Sequence, residues 1–153
     1  MGYLKKEYMT ANSNFESRTG KLSCPPETVF SFIADIRNFE QFIPPGNIQN
    51  WQATADNCSF QVPPIGSAAI RISEKTPFSS VIYSGDALQK NDFTLVVLIS
   101  ENEKNLTDIR LTLLAELNPV LKMMASGPIE KFLEILISEM EKFDMWNTMS
   151  KEN

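Results

Sequence analysis

The sequence predicts an α+β domain in which a curved antiparallel sheet of about seven strands closes around a long C-terminal helix. Three observations predict it. From Asn47 to Leu117 the apolar residues follow the two-residue period of strands, broken by Pro, Gly, Asn and Asp turns. After Asn118 the period changes, and Ile129, Phe132, Leu133, Leu136, Met140 and Phe143 form a helical stripe. The chain has 153 residues, 42% apolar and 22% charged, which suits one domain with a sizeable core. No repeat, low-complexity run or linker divides it.

The first strand is expected from Asn14 to Leu22, with Phe15, Ser17 and Thr19 on one face and Glu16 and Arg18 on the other. Cys24-Pro25-Pro26-Glu27 then reads as a helix start. Proline loses nothing in a first turn, where its N–H would be unpaired, and Glu27 favours the positive helix end. Val29, Phe30 and Ile33 carry this helix to about Asp35. A second short helix from Asn38 holds Phe39 and Phe42 and stops at Pro44-Pro45-Gly46.

The strands are expected over Ile48–Thr54, Cys58–Val62, Ser67–Lys75, Ser79–Ala87, Phe93–Glu101 and Leu106–Leu117. Asp56-Asn57, Pro63 to Gly66, Thr76-Pro77, Asn91-Asp92 and Asn102 to Asn105 supply the turns. In the last strand Ile109, Leu111, Leu113, Ala115 and Leu117 alternate with Asp108, Arg110, Thr112 and Glu116, one covered face and one wet. Phe93 to Ile99 is apolar on both faces. That pattern fits a strand covered on both sides, or a homodimer contact through its outer face. Asn118 and Pro119 cap and open the terminal helix, and Gly127-Pro128 is expected to kink it or divide it in two. Ile135 and Ile137 widen its apolar arc, so it needs cover over most of its girth.

Residues 1–13 read as a flexible extension, with Met9 as an alternative start, followed by one domain over 14–144 and a tail over 145–153. The net charge of −5 argues against nucleic acid as a partner, because phosphate binding needs clustered Lys and Arg. No apolar run is long enough for stable membrane insertion. No secretory signal is evident, so a cytoplasmic protein is expected. Cys24 and Cys58 lie far apart with no metal-type spacing and are expected to be buried thiols. Histidine is absent, which excludes every mechanism that requires imidazole as base, proton shuttle or metal ligand. No phosphate-cradling glycine loop is present, and no cofactor is expected.

The order of elements suggests a helix-grip domain, and particular residues add a resemblance. Phe15-Glu16-Ser17 leads into Gly20-Lys21-Leu22, then Pro26 to Asp35, Asn38-Phe39, Pro44 and Asn50-Trp51. Ala115 to Pro119 and Met123-Met124-Ala125 open the terminal helix. Together these resemble the START-like, or SRPBCC, superfamily, which includes polyketide cyclases, the birch-pollen-allergen group and lipid-transfer domains. The likeness runs from Asn14 to Phe143 and is greatest to small bacterial members. It implies the helix-grip fold and leaves ligand and reaction to be argued from the site.

A helix lying across the mouth of a curved sheet leaves a cavity suited to a small hydrophobic molecule. Its expected lining is Phe30, Ile33, Phe39 and Phe42 from the short helices. The sheet would add Trp51, Phe60, Ile72, Tyr83, Leu111 and Leu113, with Ile70 and Ile82 as further candidates. Met124, Phe132, Leu136 and Met140 would complete it from the terminal helix. For each of them ordinary core packing is the competing role. An acid or base would have to come from Tyr83, Asp35, Glu74, Asp86, Arg71 or Arg110, and Asp35 reads first as a helix terminator. Three functions fit. They are binding or carriage of a lipid, isoprenoid or polyketide-like molecule without catalysis; a cyclase or dehydratase acting on one; and an interaction module with a filled core, as in the co-chaperone branch the resemblance suggests.

Overall fold

The computed structural model describes residues 12–43, 46, 48–63, 66–87 and 91–146. The expected extension and tail, with the Met9 start, fall almost wholly on residues 1–11 and 147–153, outside that set. Strands β1 (Ser13–Glu16) and β2 (Gly20–Leu22) precede helix α1 (Pro26–Ile33) and a 3-10 helix (Ile36–Phe42). Six strands follow: β3 (Gln49–Ala53), β4 (Asn57–Val62), β5 (Gly66–Thr76), β6 (Ser80–Ala87), β7 (Asn91–Glu101) and β8 (Thr107–Ala115). Helix α2 (Pro119–Lys142) ends the order. All pairings are antiparallel in one eight-stranded sheet, ordered β1-β8-β7-β6-β5-β4-β3 with β2 also on β8.

Three expectations are corrected. The first strand is two, because one extra residue enters between Glu16, opposite Thr112, and Gly20, opposite Ile109. Ser17 bridges the irregularity: its N–H donates to the Leu111 carbonyl and its Oγ accepts from the Leu111 N–H. The inward parity therefore passes from Phe15 to Gly20 and Leu22 rather than through Ser17 and Thr19. Asn91 and Asp92, expected in a turn, pair with Ala87 and Asp86 as the first residues of β7. Finally, α2 continues through Pro128 as one helix and is not divided in two. Gly127 and Pro128 are exposed, and a side chain at Gly127 would meet open space. The Met124 carbonyl freed by the proline ring lies on a wet stretch of helix, where water can replace the lost bond.

The short helices form for local reasons. Pro25 is extended, Pro26 opens α1 and Glu27 lies in its first turn. Beyond Ile33 the chain leaves the α conformation at Asp35, whose carboxylate accepts from the Arg37 N–H and starts the 3-10 helix. Asn38 Nδ2 donates to the Phe32 carbonyl at 2.8 Å, supplementing the longer bond that this carbonyl accepts from the Asp35 N–H at 3.4 Å. At the head of α2, the Asn118 side chain accepts from the Leu121 N–H at 2.8 Å.

The core lies between the concave sheet face and α2. Val81, Tyr83, Leu95, Val97, Ile109, Leu111 and Leu113 meet Leu133, Leu136, Ile137 and Met140, all buried. Gly20 marks the closest approach, since a Cβ there would stand 2.9 Å from Ile137 Cγ2. A second knot of rings joins Phe32 and Phe42 to Phe143 and Trp146, with Phe143 and Trp146 4.9 Å apart. Trp146 Nε1 donates to the Met140 carbonyl at 2.8 Å, so its one polar atom is satisfied. On the convex face, Val96 sits opposite Ile82 and Thr112 and all three are buried. The two-sided apolar pattern of β7 is thus a strand covered on both faces at its middle.

Candidate functional site

An apolar cleft opens between α2, the 3-10 helix and the concave face of β3 to β7. Ile36 and Phe39 come from the 3-10 helix, and Ile43 from just beyond it. The strands contribute Trp51, Cys58, Phe60, Ile70, Tyr83 and Leu95, and α2 contributes Phe132 and Leu136. Ile43, Trp51, Ile70 and Phe132 are half-buried and form the side facing solvent, while the others are buried.

Trp51 reaches this cleft through a backbone irregularity. Gln49 pairs with Gln61 but Gln52 pairs with Ser59, so β3 carries one extra residue. Asn50 takes it up in the left-handed region, φ 55°, which asparagine tolerates better than most residues. Its Nδ2 donates to Gln61 Oε1 at 2.7 Å. Regular pairing from Gln49 would turn Trp51 to the convex face. The bulge turns it inward, where it stacks on Phe60 at 5.7 Å and 27°. Tyr83 closes the inner end, edge to face with Phe39 at 5.1 Å.

The cleft carries almost no reactive chemistry. Tyr83 Oη donates to the Ile33 carbonyl at 2.6 Å, so the hydroxyl is committed to the end of α1. Burial holds its phenol well above the ordinary range. Burial also pushes the Cys58 thiol up to about 11, keeping it protonated at neutral pH. The other candidate acids and bases lie elsewhere. Asp35 pairs with Arg37 at 2.6 Å, and that hydrogen bond lowers its carboxyl pKa. Arg71 is exposed opposite Ser84 on the convex face, and Glu74 and Asp86 are exposed too. Arg110 donates to Thr19 Oγ1 at 3.1 Å. Among the described residues no group of metal-ligating side chains comes together, and no helix is long and apolar enough to cross a membrane.

Of the lining read from the sequence, the structure brings together Phe39, Trp51, Phe60, Ile70, Tyr83, Phe132 and Leu136. Ile33, Leu111, Leu113 and Met140 sit in the filled core, and Phe42 in the ring knot. Ile72 is half-buried beside the core, and Phe30 meets Phe78 edge to face at 5.7 Å. Met124 is 68% exposed and does not line the cleft. Ile36, Ile43, Cys58 and Leu95 complete the lining without having been singled out. Each had a signal: Ile36 and Ile43 flank Phe39 at helical spacing, Cys58 shares the parity of Phe60, and Leu95 faces Tyr83.

As it stands, the cleft has a free volume of about 30 Å³. That is room for a water or two, against roughly 300–1,000 Å³ for an ordinary ligand pocket. A shallow polar groove of about 290 Å³, lined by Asn50, Gln52, Ser59, Gln61, Ser67 and Asp86, lies on the convex side.

No family model and no curated protein sequence matches the chain. Solved structures do. Protein Ms6760 from Mycobacterium smegmatis is similar over 90% of this chain and 93% of its own, with TM-score 0.66 and 13% identity. Mll3558 from Rhizobium loti matches over 83% and 96%, with TM-score 0.59 and 14% identity. CalU16 from Micromonospora echinospora matches over 92% and 91%, with TM-score 0.52 and 16% identity. At these identities the likeness shows the architecture alone: an antiparallel sheet closed on a C-terminal helix, in the manner of a helix-grip fold.

Proposed function

We propose that the protein binds or carries a small hydrophobic molecule in the cleft beneath Trp51 and Phe132, as a START-like domain of the cytoplasm. The observation that carries this reading is the lining. Ten side chains from seven elements, with Ile43 from the loop after the 3-10 helix, converge on one hollow, and none offers a charge. The surrounding core is filled, and its buried side-chain polar atoms are all hydrogen-bonded among the described residues. Entry of a ligand requires the half-buried Phe132 and Trp51 to part, which enlarges the present volume. Two buried, unpaired thiols, Cys24 and Cys58, suit a reducing compartment.

Tryptophan emission tests the proposal, because only Trp51 touches the cleft while Trp146 sits in the separate ring knot. Octan-1-ol should change the emission saturably in wild type and in Trp146→Phe, and should have no effect in Trp51→Phe. Native mass spectrometry of the purified protein should also reveal any retained apolar molecule. A flat titration in wild type, with no retained mass, sinks the reading.

A second reading, the interaction module with a filled core, is favoured by the small volume and by the exposed Val120, Met123 and Met124. A homodimer through Phe93–Ile99 draws no support from Val96 and Val97, which expose no surface. Neither does a cyclase or dehydratase step from an acid or base, because Asp35, Arg71 and Glu74 lie outside the cleft and Tyr83, which lines it, donates its hydroxyl to the Ile33 carbonyl.

A further inference from the structure

We infer that the cleft selects by charge as well as by apolarity, accepting an uncharged alkyl or ring compound and rejecting the carboxylate or ammonium form of the same skeleton. This rests on the proposed binding of an apolar molecule and adds a rule about its head group.

A ligand that enters the cleft loses water, and a charged group that loses water must find a counter-charge or several hydrogen bonds. The lining offers neither. Tyr83 spends its hydroxyl on the Ile33 carbonyl, and Cys58 supplies a buried neutral thiol. The surface that the cleft presents is apolar throughout, and half-buried Trp51 contributes the face of its ring, stacked on Phe60. A hydroxyl, ether or ester oxygen costs far less to desolvate against such a surface than a carboxylate does.

No Lys or Arg lines the cleft, and several of the described cations are committed elsewhere. Arg18 bonds Glu134 and Glu141, Arg37 bonds Asp35, and Lys21 bonds Asp108. Arg71 lies on the convex face, across the sheet from the cleft. The net charge of −5 adds a general repulsion of anions. A cation fares no better. No Asp or Glu lines the cleft, and the broad faces of Trp51 and Phe60 are partly spent on each other at 5.7 Å.

Four probes on one eight-carbon chain test this through Trp51 emission at pH 7.5: octan-1-ol, methyl octanoate, octanoate and octyltrimethylammonium. The alcohol and the ester should bind within about threefold of each other, and each ion at least about tenfold more weakly, about 1.4 kcal/mol. Octanoate or the ammonium binding as tightly as the alcohol overturns the charge rule while leaving the binding proposal intact. No saturable response to any of the four overturns both.

Discussion

The two halves of α2 share one backbone and live in different surroundings. Val120, Met123 and Met124 in the first half are 67%, 83% and 68% exposed. Leu133, Leu136, Ile137 and Met140 in the second half are at most 1% exposed, and Trp146 beyond the helix end is as deeply buried. The sheet grips the second half most closely, while in the first half Ala125 is buried and Leu121 and Ile129 pack at the edge of the core. Gly20 lets β2 close on Ile137, and Arg18 reaches from the β1–β2 connection to Glu134 and Glu141. The exposed side of the first half, with Val120, Met123, Met124, Gly127 and Pro128, overhangs, and it holds a proline without a break. Where a helix is wet, water repairs a lost backbone bond; where it is clasped, nothing can. The cleft lies at the junction, with Phe132 and Leu136 as its helical wall. It opens where grip gives way to overhang.

Substitutions should separate the halves by the size of their effect. Trp146→Ala removes the centre of the ring knot and should cost about 3–5 kcal/mol in urea unfolding. The pair Met123→Ala and Met124→Ala should change stability by less than about 0.5 kcal/mol each, as expected of exposed positions. Comparable losses from the two regions would break the contrast. Pro128→Ala comes next and has the opposite sign. Restoring the bond to the Met124 carbonyl in a helix that already continues through this point should raise stability by about 1–3 kcal/mol. A destabilised Pro128→Ala protein would mean that the overhang makes contacts that need the ring.

The smallest effect concerns the Arg18 clasp. Hydrogen bonds from Ser138 and Arg18 lower the Glu134 pKa, and one from Arg18 lowers that of Glu141. Groups whose folded pKa is depressed stabilise the fold above their unfolded pKa and lose that contribution as pH falls through the folded value. Arg18→Leu should therefore lower the melting temperature at pH 7 and make little difference near pH 3, where the glutamates are protonated. All three side chains are at least a quarter exposed, so the shift is modest. An equal loss at both pH values would assign the role of Arg18 to packing.

Much of the fold was legible because strands and helices write their periods directly. The alternation of Ile109, Leu111 and Leu113 fixed the concave face of β8, and Asn118-Pro119 fixed the head of α2. Places where one residue shifts the register were not legible. Ser17 and Asn50 each absorb an extra residue by hydrogen bonds to a neighbouring strand, and no local pattern announces that. The proline in α2 misled for a related reason: its cost depends on whether the freed carbonyl meets water. For the cleft, parity identified which residues face inward, but not how far along each strand the helix stops covering them. Leu111 and Leu95 have the same parity on adjacent strands, yet one is core and the other cleft wall. Sheet curvature makes that division.

Methyl NMR spectra recorded during titration with octan-1-ol test the central claim most directly. Saturable shifts should appear at the methyls of Ile36, Ile43, Ile70, Leu95 and Leu136, while those of Val120, Met123 and Met124 stay in place. Shifts confined to the overhang, or none at the cleft, would contradict an apolar binding site at the edge of the grip.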